Sequence, residues 1–127
     1  MTALETFVKK NPVVCIPDDG AYESEGFRKF AWDFLMALRK DAKAEGFEVV
    51  KLSRGHYDFS GFLKRRERYV YFSYRVKRGG LPTDLTSGDH RDQMMFREVD
   101  SENDYTGGIN HYCKPAQFLQ MVNWLLG

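Results

Sequence analysis

The spacing of apolar residues changes at Gly46, and that change does most to limit what this chain can fold into. Before it, Phe27, Phe30, Ala31, Phe34, Leu35, Leu38 and Ala42 recur at helical spacing. Over roughly four turns they predict a helix laid on a core. Lys29, Asp33, Arg39, Lys40 and Lys43 fill its other face. Ser24 is placed to cap its start, and Gly46 to take the left-handed conformation that ends it. Trp32 and Met36 fall beside the main stripe and are expected to widen the contact. After Gly46 the period drops to about two. Residues 47–53, 57–63, 68–77 and 93–99 read as strands. In the third, Val70, Phe72, Tyr74 and Val76 form one face, and Tyr69, Tyr71, Ser73 and Arg75 the other.

The remaining elements are shorter. Residues 2–10 predict a small helix stopped by Pro12, and residues 13–16 a buried strand closed by Pro17. Pro115 opens a last helix with Phe118, Met121, Val122 and Leu125 on its inner face. Residues 79–92 form a polar loop without periodicity. Strands follow one another instead of alternating with helices, and the hairpin tip Lys64-Arg65-Arg66-Glu67 is short. The expected architecture is therefore α+β: an antiparallel sheet of four to five strands, packed by one long helix and a C-terminal helix. The 127 residues fit a single domain, 1–127.

Composition excludes several classes. Apolar residues make up 43% and aromatics 15%, which argues against disorder. The net charge of +1 supplies no field to draw in nucleic acid or membrane. No apolar run approaches the roughly 20 residues of a membrane span. The first residues, 1–11, lack the apolar core of a signal peptide, so Cys15 and Cys113 are expected as free thiols in a cytoplasmic setting.

Two local features suggest binding. Ser101-Glu102-Asn103-Asp104-Tyr105-Thr106-Gly107-Gly108 joins a strand to the last helix. Its adjacent glycines let the backbone approach a ligand, and nearby N–H groups are suited to an anion nest. Asn103, Tyr105, Thr106, Asn110 and His111 suit a polar small molecule. The same residues read more readily as a tight turn that only redirects the chain. Neither phosphate-loop nor dinucleotide spacing is present. The second feature is the basic cluster Lys64, Arg65, Arg66 and Arg68, with Arg75, Lys77 and Arg78 close by. Tyr69, Tyr71 and Tyr74 interleave with it. Arginines beside aromatics can pair phosphates and stack bases, or simply solvate a hairpin and guard a sheet edge.

Catalytic and metal signals are weak. His56, His90 and His111 lack structural zinc spacing, and a Cys113–His111 nucleophile pair has no orienting motif. Asp18-Asp19 and the series Glu98, Asp100, Glu102 and Asp104 lack calcium-loop spacing; the series reads as balancing the basic cluster or facing water. Neither cofactor nor metal is expected.

The segments Tyr57-Asp58-Phe59-Ser60-Gly61-Phe62, Tyr69-Val70-Tyr71-Phe72-Ser73, Arg97 and Asp104-Tyr105-Thr106-Gly107-Gly108-Ile109-Asn110 resemble small proteins of bacterial phages and mobile elements, over about the C-terminal half of the chain. The resemblance implies no reaction. It implies a binder that blocks a host defence, in the host cytosol, by sequestering a nucleotide signal or sitting on a defence protein. The expectation is thus a non-enzymatic, oligomeric binder of a phosphate-containing nucleotide. Arg75, Arg78 and Arg97 would pair phosphates, Tyr69 or Tyr71 would stack the base, and the loop with Asn103 and Asn110 would close over polar edges. The alternatives are an inhibitor gripping a defence protein or nucleic acid through residues 64–78, and a small metal- or Cys/His-dependent enzyme.

Overall fold

The computed structural model of the chain describes residues 1–16, 25–54, 58–76 and 81–127. Three α-helices, α1 (Ala3–Lys10), α2 (Glu25–Ala44) and α3 (Phe118–Leu126), accompany seven strands: β1 (Val13–Val14), β2 (Glu48–Arg54), β3 (Asp58–Arg65), β4 (Arg68–Arg75), β5 (Thr83–Asp84), β6 (Met94–Val99) and β7 (His111–Cys113). Five strands form one antiparallel sheet in the order β2-β3-β4-β6-β7, and β1 pairs with β5 apart from it. The fold is the α+β arrangement expected. Among the described residues, no helix is long and apolar enough to cross a membrane.

Helix α2 buries the apolar stripe read from the sequence. It ends in the hydrogen-bond pattern that a left-handed glycine permits: Phe47 N donates to Ala42 O, and Gly46 N to Lys43 O, with Gly46 at φ +80°. The seam between α2 and the sheet is aromatic. Phe34 has its ring within 6 Å of Phe7, Phe30, Phe59 and Tyr74, at 5.6, 5.8, 5.1 and 5.7 Å. Gly61 sits opposite Phe72 in the ladder because there is no room for more. A Cβ there would lie 2.9 Å from Leu52 and 3.1 Å from the Phe72 ring. Helix α1 is capped from outside as well as by Thr2: the Asp41 carboxylate on α2 accepts from Ala3 N and Leu4 N at 2.9 and 2.8 Å. This satisfies donors that a helix start leaves open and pins α1 to α2.

Several local expectations change. Trp32 and Met36 do not widen the core contact; they are 62% and 47% exposed. They lie about one helical residue off the buried stripe, and the sheet ends beneath them. The strand near residue 13 covers only Val13–Val14, although Ile16 is buried. The polar loop carries structure where it is described: Thr83 is buried and bonds Val76 O, and His90–Asp92 make a 3-10 turn. Pro115 opens a 3-10 turn, with α3 starting at Phe118. Strand β7 was not anticipated. Ser24, Asp18 and Asp19 lie outside the described residues.

The hairpin between β3 and β4 turns on Arg66 and Glu67, with Arg66 at φ 58°. Its arginines are mostly engaged. Arg65 lies over the Phe47 ring at 4.2 Å and donates to Glu45 O and Asn123 Oδ1. Arg68 donates to Glu98 Oε2 from two nitrogens and to Leu126 O, the open carbonyl end of α3. Lys64 stands over the Tyr69 ring at 5.7 Å. Arg66 is exposed at the tip. Cationic side chains thus tie the hairpin to the ends of both long helices. Replacing Arg65→Ala is expected to lower stability by about 1–3 kcal/mol, read as a reduced urea midpoint at unchanged slope. An unchanged midpoint would show that Arg65 is only a solvated tip residue.

Candidate functional site

The helices cover one face of the sheet. On the other face Phe62 is fully buried, although no helix packs there. What covers it is the loop after β6. Phe62 contacts the rings of Tyr71 and Tyr105 at 5.2 and 5.3 Å, and Tyr71 and Tyr105 touch at 5.7 Å. Arg97, paired across the ladder with Tyr71, holds the loop in place. Its guanidinium lies 5.1 Å from the Tyr71 ring centre, donates to Asn110 Oδ1 at 3.0 Å and donates to Tyr105 O. Lys51, on the bulge of β2, reaches Asn103 Oδ1 from the far side.

The loop does form a nest of N–H groups, and its anion is internal. Asp104 Oδ1 accepts from Thr106 N at 3.1 Å and Gly107 N at 2.7 Å, and Oδ2 accepts from Asp100 N at 3.3 Å. Those backbone donors, first Gly107, hold the Asp104 carboxyl below its ordinary range, with Arg97 adding a smaller pull. The two glycines have separate reasons. A Cβ on Gly107 would collide with the Asp104 carboxylate, and one on Gly108 with Glu98 O. Gly108 also stands at φ +83°.

Of the residues singled out in the sequence, Tyr71, Arg97, Tyr105 and Asn110 therefore come together, as do Asp104, Thr106, Gly107 and Gly108. They bond chiefly to one another. Tyr69 and Arg75 share the outer face with Tyr71, but Arg75 lies four residues along β4, roughly 13 Å away. Arg78 and His56 lie outside the described residues.

Beside the loop is an open cavity of about 400 Å³. It is lined by Glu98, Val99, Asp100, Asp104, Gly107, Gly108, Ile109, His111 and Leu125. Three of these residues are acidic, and among the described residues no lysine or arginine lines the space. Arg68 balances Glu98 at 2.6 Å, and the Asp104 carboxylate is held by the loop's own N–H groups. His111 is held between Phe96 and Trp124, at 5.4 and 5.7 Å. Ile109 and Trp124 are 77% and 62% exposed. The acidic series was visible in the sequence; its convergence with His111 and the start of a cavity was not, because it depends on β7 pairing with β6.

Burial pushes the Cys113 thiol up to about 12, so it is protonated at neutral pH and a poor nucleophile. Among the described residues no group of three or more His, Cys, Asp or Glu is placed to hold a metal ion. Compared with protein-family models, curated proteins and solved structures, the chain matches none.

Two outcomes follow from the loop's geometry. Gly108→Ala is expected to destabilise the protein by about 1–3 kcal/mol in chemical denaturation, through strain at a positive φ and the clash with Glu98 O. The depressed Asp104 value has a definite sign. Its stabilising contribution is full above the ordinary carboxyl value of 3.8 and is lost as pH falls through the lower folded value. The Gly107 amide resonance should therefore hold steady down to about pH 4 and move below it. Asp104→Asn should abolish that transition; its persistence would assign it to another acid.

Proposed function

We propose that the chain is a non-enzymatic binding domain whose cavity beside the 100–110 loop accepts a basic side chain of a partner protein. The observation that carries this is the acidic lining of Glu98, Asp100 and Asp104, with no cation lining it among the described residues. A phosphate would meet like charge there, whereas a guanidinium or ammonium group would meet opposite charge and the apolar rim of Ile109 and Leu125. The loop is also held before any ligand arrives. Asp104, Arg97 and Lys51 already make its internal bonds, so little ordering remains to oppose binding. In the phage or mobile-element setting that the motifs resemble, such a domain would act by occupying a host defence protein in the cytosol.

The nucleotide reading draws its remaining support from the open part of the outer face. There Tyr69, Ser73 and Arg75 project from one side of β4, and Arg75 is exposed.

One titration separates the two. ¹⁵N amide shifts are followed while adding an arginine-centred pentapeptide, its glutamate counterpart, or a cyclic dinucleotide and ADP-ribose. The arginine peptide should move Gly107, Gly108 and Ile109 saturably, with an effect weakened by salt and at least several-fold reduced in Asp100→Asn. Shifts with the nucleotides alone, centred on Tyr69 and Arg75, would overturn the basic-side-chain reading and favour the nucleotide one.

A further inference from the structure

A second surface lies at the opposite edge of the sheet, where α2 passes over β2. Trp32, Leu35, Met36, Arg39, Leu52 and Arg54 enclose an open groove of about 180 Å³. Trp32 and Met36 form its walls and stay 62% and 47% exposed, while Leu35 is buried at its floor. A groove of this size compares with the roughly 150 Å³ apolar cavity that takes a benzene ring, so it has room for one large apolar side chain. Among the described residues, the charged ones lining it are Arg39 and Arg54. Arg28 and Lys43 extend the same side of α2, four residues before Trp32 and four after Arg39, and both are exposed.

Charge decides among the possible occupants. A two-fold contact between copies of this chain through the groove would set the basic stripe of Arg28, Arg39 and Lys43 against the same stripe of the other copy, and the two repel. Nucleic acid needs a basic track that follows a backbone, and this groove is an apolar slot with two arginines at its rim. Strand addition to the β2 edge is hindered, because Lys51 takes φ 52° and the ladder shifts between Val50 and Ser53. What fits is a side chain inserted into the slot with negative charge on either side of it. Tryptophan, methionine and arginine are also the side chains that protein interfaces favour.

We infer that the groove is a docking site for an acidic segment of a partner protein, anchored by one large apolar side chain between Trp32 and Met36 and flanked by carboxylates that meet Arg39. This surface is independent of the cavity beside the 100–110 loop. Its occupant has the opposite charge, so either reading can fail without the other.

The test is selection from a random peptide library on the full chain, in a Trp124→Phe background where Trp32 is the only tryptophan. Selected peptides are expected to share an aromatic or leucine anchor flanked by Asp or Glu. They should shift Trp32 fluorescence on titration and lose affinity at least tenfold with Trp32→Ala and with Arg39→Glu. Thermal melts of these exposed-site variants check that folding is kept, and Arg39→Lys should restore most of the affinity. The inference is overturned if the selected peptides are neutral or basic, if they bind Trp32→Ala unchanged, or if none is enriched. It is equally overturned if an oligothymidine competes for the groove, or if Trp32→Ala abolishes a concentration-dependent self-association.

Discussion

A five-stranded sheet has two faces, and among the described residues helices cover only one. Phe62 makes that imbalance acute. Its side chain is fully buried on the face that no helix covers, so something else must exclude water from it. Tyr71 provides part of the cover and Tyr105 the rest. Tyr105 belongs to a loop, and a loop lies flat only if its own polar groups are satisfied. Arg97, Asp104 and Lys51 supply those bonds. The conformation of the 100–110 loop, and with it the cavity at its side, follows from the need to cover one phenylalanine.

That origin alters the meaning of the loop's composition. Adjacent glycines, clustered N–H groups and an arginine beside tyrosines suggest a seat for phosphate. In the folded chain the N–H groups already hold a carboxylate, and the arginine already holds a carbonyl and an amide. Most of the features that suggest anion recognition are engaged in building the loop; among the buried side-chain polar atoms of the described residues, only Arg97 Nε is without a hydrogen-bond partner. What the loop presents outward is acidic. A chain whose net charge is only +1 thus separates its charge in space, with carboxylates near β7 and arginines beside β2.

Much of the fold was legible because it rests on local pattern. The α2 stripe, the Gly46 stop and the alternation in β4 each follow from residues close in sequence, and each recurs in the structure. Trp32 and Met36 were misjudged because periodicity gives a direction around the helix but not where the sheet stops. Their spacing with Arg28 and Arg39 is itself helical, a second stripe that reads as surface once the first is assigned to the core. The site was less legible. That Phe62 faces away from the helices follows from β3 register, yet its cover lies more than 40 residues along the chain, beyond any local pattern. The engagement of Arg65 and Arg68 was hidden for the same reason, since their partners Asn123 and Leu126 are each 58 residues away.

Those two arginines bear on how the chain assembles. Strands β2, β3 and β4 are neighbours in both sequence and sheet, so their pairing closes only short loops. Topologies dominated by such pairings fold quickly for their size. Helix α3 differs. The hydrogen bonds that tie it to the β3–β4 hairpin span 58 residues and come from charged side chains that stay partly in water. Closing that long loop adds an entropy cost, offset by the burial of Phe118, Leu119 and Val122 in the core. The layout thus favours the short-range pairings of the sheet first and the docking of the terminal helix second.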